Sequence, residues 1–299
     1  MLGTHVQPFE ISDLQKAASS KRLGLATPFR EFSGAFLTGE GAPGSAIIDF
    51  YSVPDRTTGH AFGEMNHVGM PRIGVFVRDL AGLHRSASLA GYAFLSEPVG
   101  LVLPGAGEVS YAVCRGPEGI CVALIERRGS GPSGPAMMQG VFDINVNCSS
   151  LERSLAFYRD VLGMSVTERF ELDGQAELGR ALALGPAVAG RGCLLEGARH
   201  SAGATCLSLI EWARPAPIGT HYVGSDAFFH VGIVRVALEV DDMDDMYQRV
   251  KACGVQFPCP PEASHVIGLG EIKTAHFRDP DGVLLELVSM PRKAAPGTH

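Results

Sequence analysis

Apolar and polar residues alternate along Arg235-Val236-Ala237-Leu238-Glu239-Val240, the period of a half-buried strand with Val236, Leu238 and Val240 on one face. Asp241 and Asp242 can cap the helix that follows, and Gly254 can end it. Asp279-Pro280-Asp281-Gly282 reads as a tight turn into a last strand, Val283 to Val288. A second alternating run, Phe142 to Cys148, leads into Ser149-Ser150-Leu151-Glu152, a capping box. Leu151, Leu155, Tyr158 and Leu162 then fall on one helix face before Gly163. The pattern predicts βαβββ units.

Self-similarity multiplies them. His67-Val68-Gly69-Met70-Pro71-Arg72 recurs as His230-Val231-Gly232-Ile233-Val234-Arg235, and Gly107 to Gly119 recurs as Gly270 to Gly282. Residues 67–126 and 230–289 agree without a gap at 17 positions, against roughly 4 expected from average composition. A related unit precedes each copy: Phe142 to Gly163, and Ile11-Ser12-Asp13-Leu14 to Leu23-Gly24-Leu25. Arg128 to Pro135 has a Gly/Pro/Ser composition that cannot pack. The expected division is therefore a domain over 1–127, a linker over 128–136, a domain over 137–291 and a tail over 292–299.

The totals narrow the function classes. With 299 residues, 45% hydrophobic and 19% charged, the chain can bury a large core. A net charge of −7 and no basic run argue against nucleic acid or an anionic membrane as partner. Met1 to Pro8 lacks the pattern of a signal peptide and no apolar run reaches spanning length, so a cytoplasmic location is expected. Seven scattered cysteines without CxxC spacing suggest reduced thiols. A small-molecule ligand is the partner this leaves, and a homodimer is compatible with it.

Ser150 to Met164 and His276 to Leu287 resemble the vicinal oxygen chelate superfamily, which includes glyoxalases, bleomycin-resistance proteins and extradiol dioxygenases. The resemblance spans nearly the whole chain. It implies an α+β fold, four βαβββ units paired into two eight-stranded half-barrels around cavities. It is a poor guide to the reaction, since one fold hosts many chemistries. Metal-using members place a His on the first strand, a His or similar ligand on the strand after the midpoint and a Glu on the last strand. The matching positions here are Asp143, Arg235 and Glu286, with Ser208 at a further position some members use. Arg235 speaks against a metal, because a guanidinium has no lone pair and brings a positive charge to the ion's place.

Strand parity points Asp143, Asn145 and Asn147 into the cavity, together with Arg235, Ala237 and Glu239 and, from the last strand, Leu284, Glu286 and Val288. An Asp143–Arg235–Glu286 cluster is expected to replace the metal, either as a structural ion-pair network or as a site where Arg235 binds an oxyanion. The preferred reading is a metal-independent enzyme without cofactor, acting on a small aromatic or ketone-bearing metabolite by proton transfer, of isomerase, lyase or cyclase type. Glu286 or Asp143 would be base and His276 acid, with Asn145, Asn147, Glu239 and His230 around the substrate. A non-catalytic binding protein and a metal-dependent dioxygenase or glyoxalase-type lyase are the alternatives. In the first half, Arg72 matches Arg235, but Ala123 stands where Glu286 does, so that cavity is expected to be packed shut. His67 and His230 suit a turn or contact, His221 and His265 lie in loops that could act as lids, and Gly268-Leu269-Gly270 reads as a turn. The Ala/Gly-rich stretch around 176–203 could shape a pocket entrance or a partner contact.

Overall fold

The computed structural model describes residues 5–25, 27–38, 46–54, 58–129, 137–197, 204–222, 225–266 and 270–290. Most of the Gly/Pro/Ser stretch, residues 198–203, Gly268 and Leu269, and the tail lie outside the described residues.

The first unit holds β1 (His5–Glu10), α1 (Asp13–Arg22), β2 (Ser33–Thr38) and β3 (Ile48–Ser52). The second holds β4 (Gly69–Val77), α2 (Leu80–Leu89), β5 (Ala93–Phe94), β6 (Val99–Leu103), β7 (Gly107–Arg115) and β8 (Cys121–Arg127). In the third, β9 (Met138–Asn147) leads to α3 (Leu151–Leu155), which widens into a π turn over Ala156–Val161. It continues with β10 (Ser165–Glu171), α4 (Ala176–Ala181), β11 (Ala189–Glu196) and β12 (Cys206–Arg214). The fourth holds β13 (Arg235–Glu239), α5 (Met243–Ala252), β14 (Glu262–Val266), β15 (Gly270–Arg278) and β16 (Leu284–Ser289).

Local chemistry places the helix starts. Ser12 forms a capping box with Gln15, Asp79 accepts from the Gly82 amide and Asp242 from the Asp245 amide. The expected box at Ser149 is displaced by one residue: Ser150 caps α3, while Ser149 Oγ donates to Asp281 Oδ1 at 2.6 Å. The alternation along β9, β13 and β16 is obeyed. Val146, Val236, Leu285 and Leu287 join Leu151, Leu155, Tyr158 and Val250 in one core between sheet and helices.

In the third unit β9 runs parallel to β12, giving the order β10-β11-β12-β9, and in the fourth β13 runs parallel to β16, giving β13-β16-β15-β14. The first unit departs from this order, since β1 pairs antiparallel with β2 to make β1-β2-β3.

Which units pair is the decisive feature. β4 and β9 lie antiparallel, with Arg72 opposite Asn145 and Gly74 opposite Asp143, so the second and third units share one nine-stranded sheet. The first unit meets the fourth instead: Phe29, Val53, Phe228, Phe229 and Leu284 form a common core, and Lys21 Nζ reaches Glu262 Oε1 at 2.5 Å. The pairing thus runs across the division expected at 128–136.

Two crossed turns hold the pairs together. Thr58 bridges His230 and Ile218 bridges His67, with Val231 N to Thr58 O at 3.0 Å and Val68 N to Ile218 O at 2.9 Å. The glycine after each, Gly59 and Gly219, has φ of +68° and +65°, and a Cβ there would overlap the imidazole of His230 or His67. Between them His67, Phe62, Tyr222 and His230 stack in one column, at centroid spacings of 3.9, 4.4 and 4.1 Å.

Candidate functional site

Register brings one cluster together in the barrel of the first and fourth units. His276 and Glu286 are direct partners on β15 and β16, and His276 Nε2 stands 3.4 Å from Glu286 Oε1. Arg235 lies opposite Leu284 on the parallel β13–β16 ladder, and its guanidinium reaches along the sheet to Glu286 Oε2 through Nη1. Its Nη2 pairs with Asp49 Oδ2 on β3. Tyr51, also on β3, donates its hydroxyl to Phe228 O at 3.0 Å, and burial raises its pKa. Arg22, the last residue of α1, is buried and donates from Nη2 to Ser19 Oγ at 2.7 Å. A cavity of about 500 Å³ adjoins the cluster, lined among others by Leu23, Phe257, Pro258, His276, Arg278 and Leu284.

Electrostatics fix the state of His276. Burial first, then the charges of Arg235 and Arg22, hold its pKa well below the ordinary value, so the ring is neutral near pH 7. A neutral imidazole donates one N–H and accepts at the other nitrogen; it is no imidazolium acid. This changes the acid role expected for it.

The expected Asp143–Arg235–Glu286 cluster does not form. Asp143 faces Arg72 in the barrel of the second and third units, with both carboxylate oxygens 3.4 Å from Arg72 Nη1. The cause is the β4–β9 register, which sets Asp143 opposite Gly74, where no side chain intervenes. Arg72 therefore has an acid partner after all, from the third unit. Tyr111 is buried beside the pair, and burial raises its pKa to about 12 against the opposing charge of Arg72.

This second barrel is filled. Leu178, Ala181, Leu182 and Val188, in and around α4, pack with Val109, Tyr111, Val113, Phe142 and Trp212. The part of the 176–203 stretch in and around α4 is thus a plug of core residues, and β11 follows it in the sheet.

The residues expected around the substrate scatter. Asn147 Nδ2 donates to Met65 O (2.7 Å) and His67 O (2.8 Å), and its Oδ1 accepts from Trp212 Nε1 (3.1 Å), so its amide is committed to structure. Asn145 Nδ2 lies 3.4 Å from Ser208 O and Oγ in the filled barrel. Glu239 is exposed at the far end of β13. His230 belongs to the stacked column, as does His67, while His221 packs against Tyr222 and Phe62, and burial lowers its pKa to about 4. His265 is exposed, its backbone carbonyl taking the Gln15 side-chain amide. Only Arg235, Glu286 and His276 of the expected set come together in one cluster, and His276 lines the adjoining cavity. The residues that join them, Asp49 and Arg22, carry a weak signal in the sequence: Asp49 is the one acid within the apolar run Ala46 to Tyr51, and nothing marks Arg22.

Paired half-barrels of βαβββ units with a polar cluster on the concave face define the vicinal oxygen chelate class. Residues 140–287 match the model of the Glyoxalase/Bleomycin resistance protein/Dioxygenase superfamily, and this part of the chain belongs to that superfamily. Among solved structures, glyoxalase I from Zea mays is 16% identical at a TM-score of 0.59, covering 95% of this chain and 93% of that one. A variant of the same enzyme reaches 17% and 0.60 over 95% and 93%. A dioxygenase-like protein from Bacillus subtilis is 15% identical at 0.53, over 87% and 73%. At these identities the likeness is one of fold. No curated protein matches the chain.

A metal does not fit the residues present. Glu286 is the single ligand-type residue among the positions that metal-using relatives imply, and its carboxylate is engaged by Arg235 and approached by His276. Asp143 stands in the other barrel, and a guanidinium cannot ligate. Among the described residues no group of three or more His, Cys, Asp or Glu is placed to hold an ion. All seven cysteines are free thiols, and among the described residues no helix is long and apolar enough to cross a membrane.

Proposed function

We propose that the barrel of the first and fourth units is the working site of a small-molecule enzyme that moves a proton on a carbonyl compound. One observation carries this reading. Buried polar atoms without a partner concentrate there: Arg22 Nε and Nη1, Asp49 Oδ1, Thr274 Oγ1 and His276 Nδ1. Such atoms are costly unless a ligand or water satisfies them. The sheet of the second barrel, filled by the α4 plug, contributes fewer, Tyr111 Oη and Gln139 Nε2 among the described residues.

Glu286 is the base in this proposal. Arg235 holds its carboxylate in place and, being permanently charged, stabilises negative charge developing on a carbonyl oxygen nearby. His276 supplies a neutral N–H to the same oxygen, a stronger match to an enolate than to a ketone because no proton is fully transferred. Enolate-forming isomerase, lyase and cyclase reactions share this step.

The test is deuterium uptake at the α-carbon of phenylpyruvate, acetophenone and cyclohexanone in D2O, followed by proton NMR. Wild-type protein is expected to speed exchange of at least one compound, and Glu286→Gln to slow it by about 100-fold or more. Binding of these compounds with no exchange in the wild type would instead favour a sequestering protein.

A further inference from the structure

We propose that Arg22 anchors a carboxylate on the molecule that occupies the barrel of the first and fourth units, a step that rests on that barrel being the ligand site. The Arg22 side chain belongs to a residue only 6% exposed, and while Nη2 is held by Ser19 Oγ, the N–H groups of Nε and Nη1 are buried and have no acceptor. The carboxylates around it are already taken. Asp49 and Glu286 both pair with Arg235, and Glu262 pairs with Lys21. A basic residue in the last turn of a helix is ordinarily explained by the helix macrodipole, but that explanation requires no burial. A buried guanidinium without a counter-ion is costly, and what offsets it here is a ligand's charge.

Position and charge narrow the ligand. Arg22 directly precedes Leu23, which lines the cavity together with His276, and its charge, with that of Arg235, opposes protonation of His276. Two arginines and two carboxylates balance overall, but both carboxylates sit on Arg235, so Arg22 is left without a direct anionic partner and the ligand should add as little further negative charge as possible. That suits a monoanion. A phosphate dianion would add surplus negative charge beside Asp49 and Glu286. The neighbouring wall is apolar at Leu23, Phe257, Pro258 and Leu284. The substrate class is therefore a monocarboxylate with an apolar body, its carbonyl end toward Glu286 and His276 and its carboxylate on Arg22.

Calorimetric titration with phenylpyruvate, its methyl ester and phenyl phosphate tests this without turnover, using wild type, Arg22→Met and Arg22→Lys. The acid is expected to bind wild type at least tenfold tighter than the ester or the phosphate. Arg22→Met should weaken the acid at least tenfold, with a urea midpoint equal to or above that of wild type, because an uncompensated buried charge has gone. Arg22→Lys should weaken it less, since the charge is kept and the planar fork lost. Equal binding of acid and ester, tighter binding of the phosphate, undiminished acid binding in Arg22→Met, a lowered midpoint in that variant, or no binding of any probe would each overturn the assignment. An acid preference that persists without deuterium exchange would leave the anchor standing and remove the proton-transfer reading alone.

Discussion

His276 Nε2 stands 3.4 Å from Glu286 Oε1 across a direct register pair of β15 and β16. The imidazole is neutral because burial and two guanidiniums oppose its protonation. A histidine whose folded pKa lies below its unfolded value of 6.5 takes up a proton on unfolding. Its contribution to stability is complete above pH 6.5 and is lost as pH falls toward the folded pKa.

His221, lowered to about 4 by burial, works in the same direction between pH 6.5 and 4. His221 should steepen the stability–pH profile by about 1.4 kcal/mol per pH unit between pH 6 and 5. Urea midpoints measured across that range for wild type and His221→Asn check it. An identical slope in the two proteins would show that His221 is charged in the folded state.

Asp143→Asn should destabilise by about 3–5 kcal/mol, since it leaves the buried Arg72 without its anion. Arg72→Met combined with Asp143→Leu should recover most of that loss. Deuterium exchange by the folded fraction should stay at the wild-type rate, because the pair lies in the filled barrel. Exchange that disappears with the Asp143 carboxylate would move the working site there.

Arg235→Met should behave in the opposite way. It strands Asp49 and Glu286 without the cation between them, at a cost of about 2–4 kcal/mol in urea unfolding. Exchange should fall far more than stability predicts. Adding Asp49→Asn should restore part of the stability and none of the exchange.

Gly59→Ala and Gly219→Ala should each cost about 2 kcal/mol or more, from backbone strain at positive φ and overlap with the imidazole of His230 or His67. The two values should be similar, as the turns are counterparts. Denaturant titrations of the single variants decide it, and a neutral outcome at either glycine would mean that its imidazole can swing aside.

The readable part of this protein was what depends on neighbours in sequence. Strand alternation at Val236 and Leu238, the cap at Asp242 and the turn at Asp279 to Gly282 are local events, and the repeat made them visible twice. Parity also assigned Arg235 and Glu286 to the concave face, and the family resemblance put His276 near the cavity mouth. What stayed hidden is non-local. No residue within β9 announces that it will lie against β4, yet that register alone gives Asp143 to Arg72. Likewise Asp49 meets Arg235 across 186 residues of chain, through the docking of two separate sheets. Asn147 looked like a substrate contact because a buried amide needs partners, and three protein groups turned out to supply them.

The nesting of the four units also sets a timetable. The second and third units adjoin in the chain and can pair as soon as both have left the ribosome, closing a comparatively short loop. The first unit emerges before either, but its partner is translated last. Phe29 and Val53 must wait for Phe228 and Leu284, with an exposed apolar surface in the interval. Arg22 and Asp49 are consequently made early and become part of a site only at the end of synthesis. A truncated or stalled chain would hold a finished barrel and an unfinished one, and the unfinished one is where the chemistry is proposed to occur.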